Sequence, residues 1–531
     1  MSVALSAYQQ ALEEKVATHG EIIRWLIAAA VSLGALLEVV DTSIVNVALP
    51  HIQGNLGATF TEVGWVITSY SIANGIMIPL SAWLGGIFGT KRYFLLSMLG
   101  FTAASVLCGV SNSLGMLVFA RLLQGLFGGG LLAKAQSILF QSFPKELQGH
   151  AQGLFGVCVI VGPIIGPTLG GYLTDMYNWR WIFFINLPVG IIATLLCFLA
   201  LPRDIKGPKT KTSVDVLGIL FLIMFVGSFM FVLEEGQQDD WFSSPLIVTC
   251  SVAAVVGFIL FVVQELNTKK PAVNLNVLRH RSIASGSILS LVMGMTMYGT
   301  MVSIPSFVQS LLGFTAMQSG LLLLPGSIAS GVLMPISGIF SKKLDARLMV
   351  GLGTMIMAGV MFQLTSINMD TGTDFFWWPL IIRGVAMVMI YMPLTMATLG
   401  TCPANEVADA SGFFNLARQL GGSIGVAAIT TILEQRNEFH RQVLIEKVSA
   451  FNPAAVDAMK TFGGVFTHQG ISMHDAMAGA RMIANATVLR QASVLSYEDI
   501  SWLVGMLLCI TLPLLFLLDS GRKGKAVSAA H

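Results

Sequence analysis

The sequence predicts an all-α polytopic membrane protein with fourteen transmembrane helices. Three observations predict it. Fourteen apolar stretches are each long enough to cross a bilayer, 54% of the 531 residues are hydrophobic against 11% charged, and the basic residues between stretches fall on alternate sides. A spanning helix needs roughly 20 apolar residues to cover about 30 Å of hydrocarbon. A water-soluble chain of this length could not hide so much apolar surface.

The stretches lie at 22–48, 62–84, 93–112, 114–140, 151–173, 181–201, 215–233, 244–265, 282–304, 316–339, 347–366, 377–399, 408–433 and 498–519. With the N-terminus inside, most of the 30 basic residues fall in cytoplasmic segments, from Lys15 through the clusters at Lys91–Arg92, Lys269–Lys270 and Arg522–Lys525. The short outer loops hold Arg180 alone, and long translocated segments such as 434–497 largely escape the rule. Both termini are therefore expected in the cytoplasm. Residues 1–20 lack the basic start, short apolar core and small-residue site of a cleaved signal peptide, so the first span is expected to direct insertion. The six cysteines, Cys108, Cys158, Cys197, Cys250, Cys402 and Cys509, follow no metal or disulfide spacing and read as small apolar fillers.

Two parts of the chain repeat. SAWLGGIFGTKR (81–92) follows span 2 and SGIFSKKLDAR (337–347) follows span 10. Span 4 carries Arg121 and span 12 carries Arg383 at nearly the same depth. GPIIGPTLGG in span 5 is echoed more weakly by GGSIGVA in span 13. The offset is always eight spans. The expected organisation is a cytoplasmic segment 1–21, a six-helix bundle 22–201, a linker with two inserted helices 202–281, a second six-helix bundle 282–519 and a cytoplasmic tail 520–531. Internal repeats with a site at their interface are the architecture of secondary transporters. The outer segment 434–497 reads as partly helical and amphipathic, broken at Asn452-Pro453 and Gly463-Gly464, and either packs on the outer face or offers a docking surface.

Charges inside the spans carry the chemistry. In span 1 (LLEVVDTSIVNVALP), Glu38 and Asp41 are three residues apart and share a helix face. Asp41 lies about seven residues, near 10 Å, from the outer end by helical rise. Holding a carboxylate in hydrocarbon costs several kcal/mol, so such a pair suits a group that takes up and releases protons. In span 4 (FARLLQGLFGGGLLAKAQ), Arg121 reaches the same depth, with Gln124 on the same side and glycines that permit close helix approach. Lys134, well round the helix and near the inner end, is expected to snorkel to the interface. Two prolines and four glycines within 162–171 (Gly162, Pro163, Gly166, Pro167, Gly170, Gly171) are tolerated only where neighbouring helices cover the backbone.

VVDTSIVNVALP, WVITSYSIANGIMIPL, RLLQG, GPIIGPTLGG and NWRWIFFINLPVG together resemble the major facilitator superfamily. More closely they resemble its fourteen-span drug:proton antiporters of the EmrB/QacA type, nearer the EmrB-like members given DWFSSP before span 8. The resemblance covers nearly the whole chain. It implies a major-facilitator fold, with Asp41 as the span-1 acid, Arg121 as the span-4 arginine and residues 162–171 as the motif that marks exporters. It also implies a membrane-fusion adaptor in the periplasm and an outer-membrane channel as partners, and the bacterial inner membrane as location. The loop between spans 2 and 3 departs from the family pattern Gly-x-Leu-x-Asp: the Gly position is Ala82 and the Asp position Gly86, while Gly89, Lys91 and Arg92 remain. After span 10 the Asp position is Lys342. The charge-paired latch attributed to that acid is thus unsupported in either half.

The reading is a proton-coupled multidrug exporter working by alternating access, with Glu38, Asp41 and Arg121 for proton coupling and Asn46, Gln124, Gln136, Arg383, Asn415 and Arg418 lining a substrate cavity. Its alternatives are export of a specific metabolite, such as a siderophore or fatty acid, and a membrane channel, which would need a continuous polar stripe. No catalytic residues, metal, cofactor or nucleic-acid partner are expected: the eight histidines are scattered, and no Gly-x-x-x-x-Gly-Lys-Ser/Thr loop offers ATP as an energy source.

Overall fold

A computed structural model describes residues 7–204, 214–341, 344–369, 371–448, 452–468 and 471–518. Lys342, much of the linker after span 6 and the tail 520–531 lie outside them. Among the described residues, 14 helices are long and apolar enough to cross a membrane. An N-terminal helix α1 (Ala7–His19) precedes span 1, α2 (Ile22–Leu56). Spans 2 and 3 are α3 (Phe60–Phe88) and α4 (Thr90–Gly109). Span 4 is two helices, α5 (Leu114–Gly128) and α6 (Leu131–Ser142), and span 5 is α7 (Lys145–Met176). Span 6 is α8 (Trp181–Phe184) and α9 (Asn186–Ala200).

The inserted pair is α10 (Val216–Leu222) with α11 (Ser228–Glu235), joined by a π-helical turn Ile223–Gly227, and then α12 (Pro245–Asn267). Spans 9 to 12 are α13 (Arg281–Ser310), α14 (Ala316–Phe340), α15 (Ala346–Gln363) and α16 (Thr373–Leu399). The chain ends with α17 (Val407–Lys447), α18 (Pro453–His468) and α19 (Met473–Thr511).

Helix starts follow local chemistry, and one device recurs eight spans apart. At α3, Thr59 Oγ1 accepts from the Glu62 amide at 3.3 Å while Glu62 Oε2 accepts from the Thr59 amide at 2.8 Å. At α14, Thr315 and Gln318 form the same reciprocal pair at 3.2 and 2.8 Å. Each satisfies two orphan donors of a helix start. The packing repeats as well. Span 1 lies on span 5 and span 9 on span 13; span 2 lies on span 4 and span 10 on span 12; span 3 lies on span 6 and span 11 on span 14. The two halves meet through α7 on α14 and through α3 and α6 on α17, and the inserted helices flank that seam against α3 and α17.

Three features differ from the sequence expectation. First, the segment 434–497 is no separate excursion. Span 13 runs on unbroken for 41 residues and span 14 begins at Met473, so both project beyond the apolar layer, with α18 packed on α19. A 41-residue helix is about 60 Å long, twice the hydrocarbon thickness. The reason is that a helix stops at a breaker, not where the lipid ends. Between Val407 and Asn452-Pro453 there is no proline, and Asp499 ties the two extensions together by accepting from Arg436 Nε at 2.6 Å and pairing with His440 at 2.7 Å. Second, Gly463-Gly464 breaks nothing, since both glycines lie within α18. Third, residues 7–19 form a docked helix. Lys15 Nζ donates to the carbonyls of Leu199, of Ala200 at 3.0 Å and of Leu201 at 3.2 Å, satisfying the C-terminal carbonyls of span 6.

Candidate functional site

Span 1 carries its two acids into separate environments. Asp41 is fully buried. Its Oδ2 accepts from Arg121 Nη1 at 2.5 Å, and its Oδ1 accepts from Gln124 Nε2 at 2.7 Å and Asn186 Nδ2 at 2.9 Å. Arg121 has further partners: Nε donates to the Val66 carbonyl at 3.0 Å, Nη1 also donates to Gln124 Oε1 at 2.8 Å, and the guanidinium lies 4.1 Å from the Tyr70 ring centroid. Asn186 further donates to Ser105 Oγ at 3.0 Å. Every partner of the Asp41 carboxylate is a donor, and a guanidinium cannot act as anything else. The pair is therefore a closed ionic lock.

Glu38, one helical turn away, touches no cation within ion-pairing distance. Its Oε1 accepts from Asn74 Nδ2 at 2.9 Å and its Oε2 from the Leu132 amide at 2.8 Å. That amide is free because span 4 breaks at Gly128–Gly130, leaving the start of α6 without intrahelical acceptors. Orphan amides and the positive end of a helix dipole favour an anion there, and span 1 supplies the carboxylate.

The residues 162–171 position this segment. Gly166 faces Ser43 and Ile44, and an added Cβ would lie 3.0 Å from the Ile44 amide nitrogen; at Gly170 a Cβ would lie 2.8 Å from the Ile44 carbonyl oxygen. Span 5 thus packs its glycine face onto span 1 directly beside Asp41. Gly162 faces Val39 on the same helix, whereas Gly171 faces Met317 of span 10 across the seam. Pro163 and Pro167 sit within α7, which continues through both.

In the other half, Asn415 Nδ2 donates to Gln136 Oε1 at 2.7 Å and Arg418 Nη2 donates to Asn415 Oδ1 at 3.3 Å. Ser411 Oγ donates to the Ala133 carbonyl at 2.7 Å, so α6 and α17 are hydrogen-bonded across the seam. Arg383 is buried and donates through Nη2 to Thr300 Oγ1 at 2.8 Å.

The predicted residues therefore form three groups: Asp41, Arg121 and Gln124, beside Glu38; Gln136, Asn415 and Arg418; and Arg383 by itself. Asn46 joins none of them. Five residues past Asp41, it has turned well round the helix and is exposed. Lys134 does not snorkel: it is 4% exposed and folds back over Gly85, which has no side chain to exclude it. Tyr70, Asn74, Asn186 and Asp204 were not singled out from sequence; the first three lie within quoted motifs, and Asp204 lies outside them all. Asp204 stands in the loop after span 6 and accepts from the amides of Lys91 at 3.0 Å and Arg92 at 3.1 Å, so an acid from another loop caps α4.

The sequence profile described as Major Facilitator Superfamily matches residues 31–426. The chain is 36% identical over 497 residues to the Multidrug export protein EmrB of Escherichia coli strain K12, covering 92% of this chain and 94% of that protein. It is 32% identical over 498 residues to the Fatty acid resistance protein FarB of Neisseria gonorrhoeae, covering 94% and 96%. Among solved structures, the human organic anion transporter MFSD10 (TETRAN) superposes with a TM-score of 0.57 over 91% of this chain and 99% of that one, at 13% identity. At that identity the likeness is one of fold.

Proposed function

The chain belongs to the major facilitator superfamily, and on that premise we propose that it is a proton-coupled exporter of lipophilic or amphipathic compounds, working by alternating access. The similarity to a multidrug export protein over more than nine-tenths of both chains supports efflux of small molecules. The observation that carries the coupling is the donor-only shell around Asp41. A proton can reach that carboxylate only after Arg121 lets go, because a guanidinium offers no lone pair to a protonated acid. Proton uptake is thereby tied to movement of span 4 against span 1, and span 4 also holds Gln136 against the opposite half. Glu38, held by neutral donors, is the second acid of the relay. Substrate occupies the region between the halves lined by Gln124, Gln136, Asn415, Arg418 and Arg383, with the methionine-rich walls adapting to varied apolar groups.

The basic-residue placement supports an inner-membrane protein with both termini in the cytoplasm. The helical projection of α17, α18 and α19 then stands on the periplasmic side, where it suits contact with a membrane-fusion adaptor that leads to an outer-membrane channel. Cross-linking followed by co-purification tests this, with residues 440–490 removed as the comparison. A narrower cargo remains the second reading, favoured by the resemblance to a fatty acid resistance protein over 94% of the chain.

The central test is proton movement. In proteoliposomes, added substrate should collapse an imposed pH gradient; Asp41→Asn should abolish that collapse while retaining some substrate binding, and Glu38→Gln should have a milder effect. An unchanged proton stoichiometry in Asp41→Asn would overturn the mechanism.

A further inference from the structure

Two acids at the seam have no part in the mechanism above. Glu234 and Glu235 end α11, the outer part of the first inserted helix, between span 2 of one half and span 13 of the other. Glu235 is buried, and its Oε1 accepts from Thr68 Oγ1 of span 2 at 2.7 Å. Glu234 Oε1 accepts from Ser423 Oγ of span 13 at 3.2 Å, and Ser71 of span 2 lies against the same carboxylate. Among the described residues, neither acid takes part in an ion pair. A carboxylate held in a membrane without a counter-charge is costly, and acids retained in such places mark proton pathways. The π-helical turn Ile223–Gly227 takes up one residue more than an α-turn, which rotates the rest of the helix by about 100°. Without it the two acids would stand that far round from the seam.

Two features set these acids apart from Asp41. Their partners are hydroxyls, which donate to a carboxylate and accept from a carboxylic acid. Either acid can take and release a proton with no partner displaced, whereas Asp41 needs Arg121 to leave. The second feature is alignment. Thr68, Ser71 and Asn74 are three residues apart, a stripe on span 2 whose members stand about 4.5 Å apart along the axis. Thr68 holds Glu235, Ser71 touches Glu234, and Asn74 Nδ2 donates to Glu38 at 2.9 Å. The first inserted helix runs antiparallel to span 2, so in the orientation proposed above the acids are met from the outside as Glu235, Glu234, Glu38. Asp239, exposed in the loop beyond, stands one turn above Glu235 and donates its amide to that residue's carbonyl at 3.1 Å. Other charged groups are few. The only one on α3 is Glu62 at its outer start, and the only one on α12 is Glu265 at its far end. On α17, Glu434 accepts from Gln237, and the field of Arg418 reaches Glu38, as does that of Asp41 on span 1.

We propose that Glu235 and Glu234 carry protons from the outer side along span 2 to Glu38, so that the inserted helix supplies the entry route for the coupling ion. The inference rests on the proton-coupled reading above and names the residues that deliver the proton. At each step the O–H bond of one carboxyl breaks and an O–H bond forms on the carboxylate of the next acid. The donor is left ionised and is refilled from its outer neighbour, with Glu235 drawing on outer water through Asp239. The Ser71 hydroxyl accepts one proton as it gives up its own and so serves the step from Glu234 towards Glu38, which Asn74 holds at the end of the stripe. Because Glu235 is bonded to span 2 and Glu234 to span 13, the route is complete only while α11 is seated against both halves. Parting of spans 2 and 13 breaks one of these contacts and interrupts it.

The test is made on the full-length protein in lipid and needs no substrate. Infrared difference spectroscopy reads the carbonyl stretch of protonated carboxyls after a rapid step from alkaline to acidic buffer. Glu38→Gln identifies the Glu38 component by removing it. In Glu234→Gln the Glu38 component should reach its parental amplitude at least about ten-fold more slowly, the loss of one positioned proton-transfer group, and one further component should be missing. Glu234→Asp, which keeps a carboxyl, should recover part of the rate, whereas a residue that only packs the seam would be replaced as well by Gln as by Asp. Ser71→Ala should slow the filling of Glu38 while leaving the Glu234 component in place, and it carries the comparison if Glu234→Gln does not fold. Parental kinetics at Glu38 in these variants overturn the inference, as does an unaltered set of components in Glu234→Gln. Proteoliposomes holding a pH gradient, with cationic ethidium and neutral Nile red as probes, separate the two readings. Dissipation by either probe that is as fast in Glu234→Gln as in the parent leaves the exporter standing and removes the relay. Glu234-dependent filling of Glu38 with no dissipation by either probe leaves the relay standing and removes the exporter.

Discussion

Arg121 and Arg383 occupy matching places in the two halves, but Arg121 is held by a carboxylate, an amide, a backbone carbonyl and an aromatic ring where Arg383 has one hydroxyl. Arg121 meets Asp41, and Arg383 meets Thr300. Thr300 lies as far into α13 as Asp41 lies into α2, so the repeat preserves the helix pairing and the contact while exchanging a carboxylate for a hydroxyl. The N-terminal half thereby closes on itself as a neutral ion pair with hydrogen bonds to both members. The C-terminal half keeps its charge open. On the function proposed above, this duplicated geometry with divided chemistry supplies two separate handles, one for the proton and one for the cargo.

The sharpest way to break that comparison is to remove each arginine in turn. Arg121→Ala leaves Asp41 buried without its counter-charge and frees the Val66 carbonyl and Gln124. Breaking a buried pair from one side costs about 3–5 kcal/mol, so we expect a large fall in denaturation midpoint in detergent together with loss of export. Arg121→Lys should restore part of the stability and less of the transport, because the fork geometry is lost. Arg383→Ala gives up one hydrogen bond to Thr300 but also relieves an uncompensated charge. Its stability change should stay within about 1 kcal/mol, while transport falls. Equal destabilisation by the two substitutions would mean that Arg383 is paired as fully as Arg121.

A smaller effect is expected at the helix contact that holds the lock in place. Gly166→Ala drives a methyl group into Ser43 and the backbone at Ile44, and overpacking of this kind costs about 1–3 kcal/mol. Gly171→Ala, with its nearest neighbour 3.6 Å away, should be tolerated. Thermal unfolding of the two variants, read beside the Asp41-dependent pH response, separates packing from charge. If Gly171→Ala is the more damaging, span 5 serves the seam with span 10 rather than the acid on span 1.

The sequence carried most of this architecture because its signals are physical and local. Long apolar runs give the spans, and the eight-span repeat of TKR/SKK, Arg121/Arg383 and the glycine clusters gives the pairing. The acid and arginine at equal depth give the lock. Four things were not legible. Asn186 and Asn74 complete the cluster, but a lone amide in an apolar run does not say which helix it will face. The separation of Glu38 from Asp41 depends on the break in span 4, and the run of glycines there reads equally as a packing face. The outward extension of spans 13 and 14 was missed because hydropathy marks where lipid ends, whereas the helix of span 13 continues to Lys447. Lys134 was misplaced for a related reason: its burial depends on Gly85 from another helix, which no pattern along span 4 reveals.

The smallest effect belongs to the loop between spans 2 and 3, where the family acid is replaced by Gly86. Restoring it as Gly86→Asp tests whether a latch has been lost or moved. The position is sterically open, with nothing within 4 Å of an added Cβ, so the substitution fits. Its carboxylate would stand in the last turn of α3, where the helix dipole disfavours an anion by about 0.3–1 kcal/mol. Its natural partners are engaged: the Lys91 and Arg92 amides are capped by Asp204, and Lys91 Nζ donates to the carbonyls of Phe198 at 2.6 Å and Leu201 at 2.9 Å. The backbone amides and Lys91 Nζ offer the new acid no vacancy, and Gly86→Asp should change stability by no more than about 1 kcal/mol and leave transport close to the parent. Asp204→Ala removes the cap of α4 and should cost about 1 kcal/mol. In the double variant, an acid at residue 86 should recover little of that loss if the cap belongs to the loop after span 6. Full recovery would place the latch back in the loop between spans 2 and 3, with Asp204 as its substitute in this chain. Chemical denaturation of the two single variants and the double variant gives the coupling energy directly.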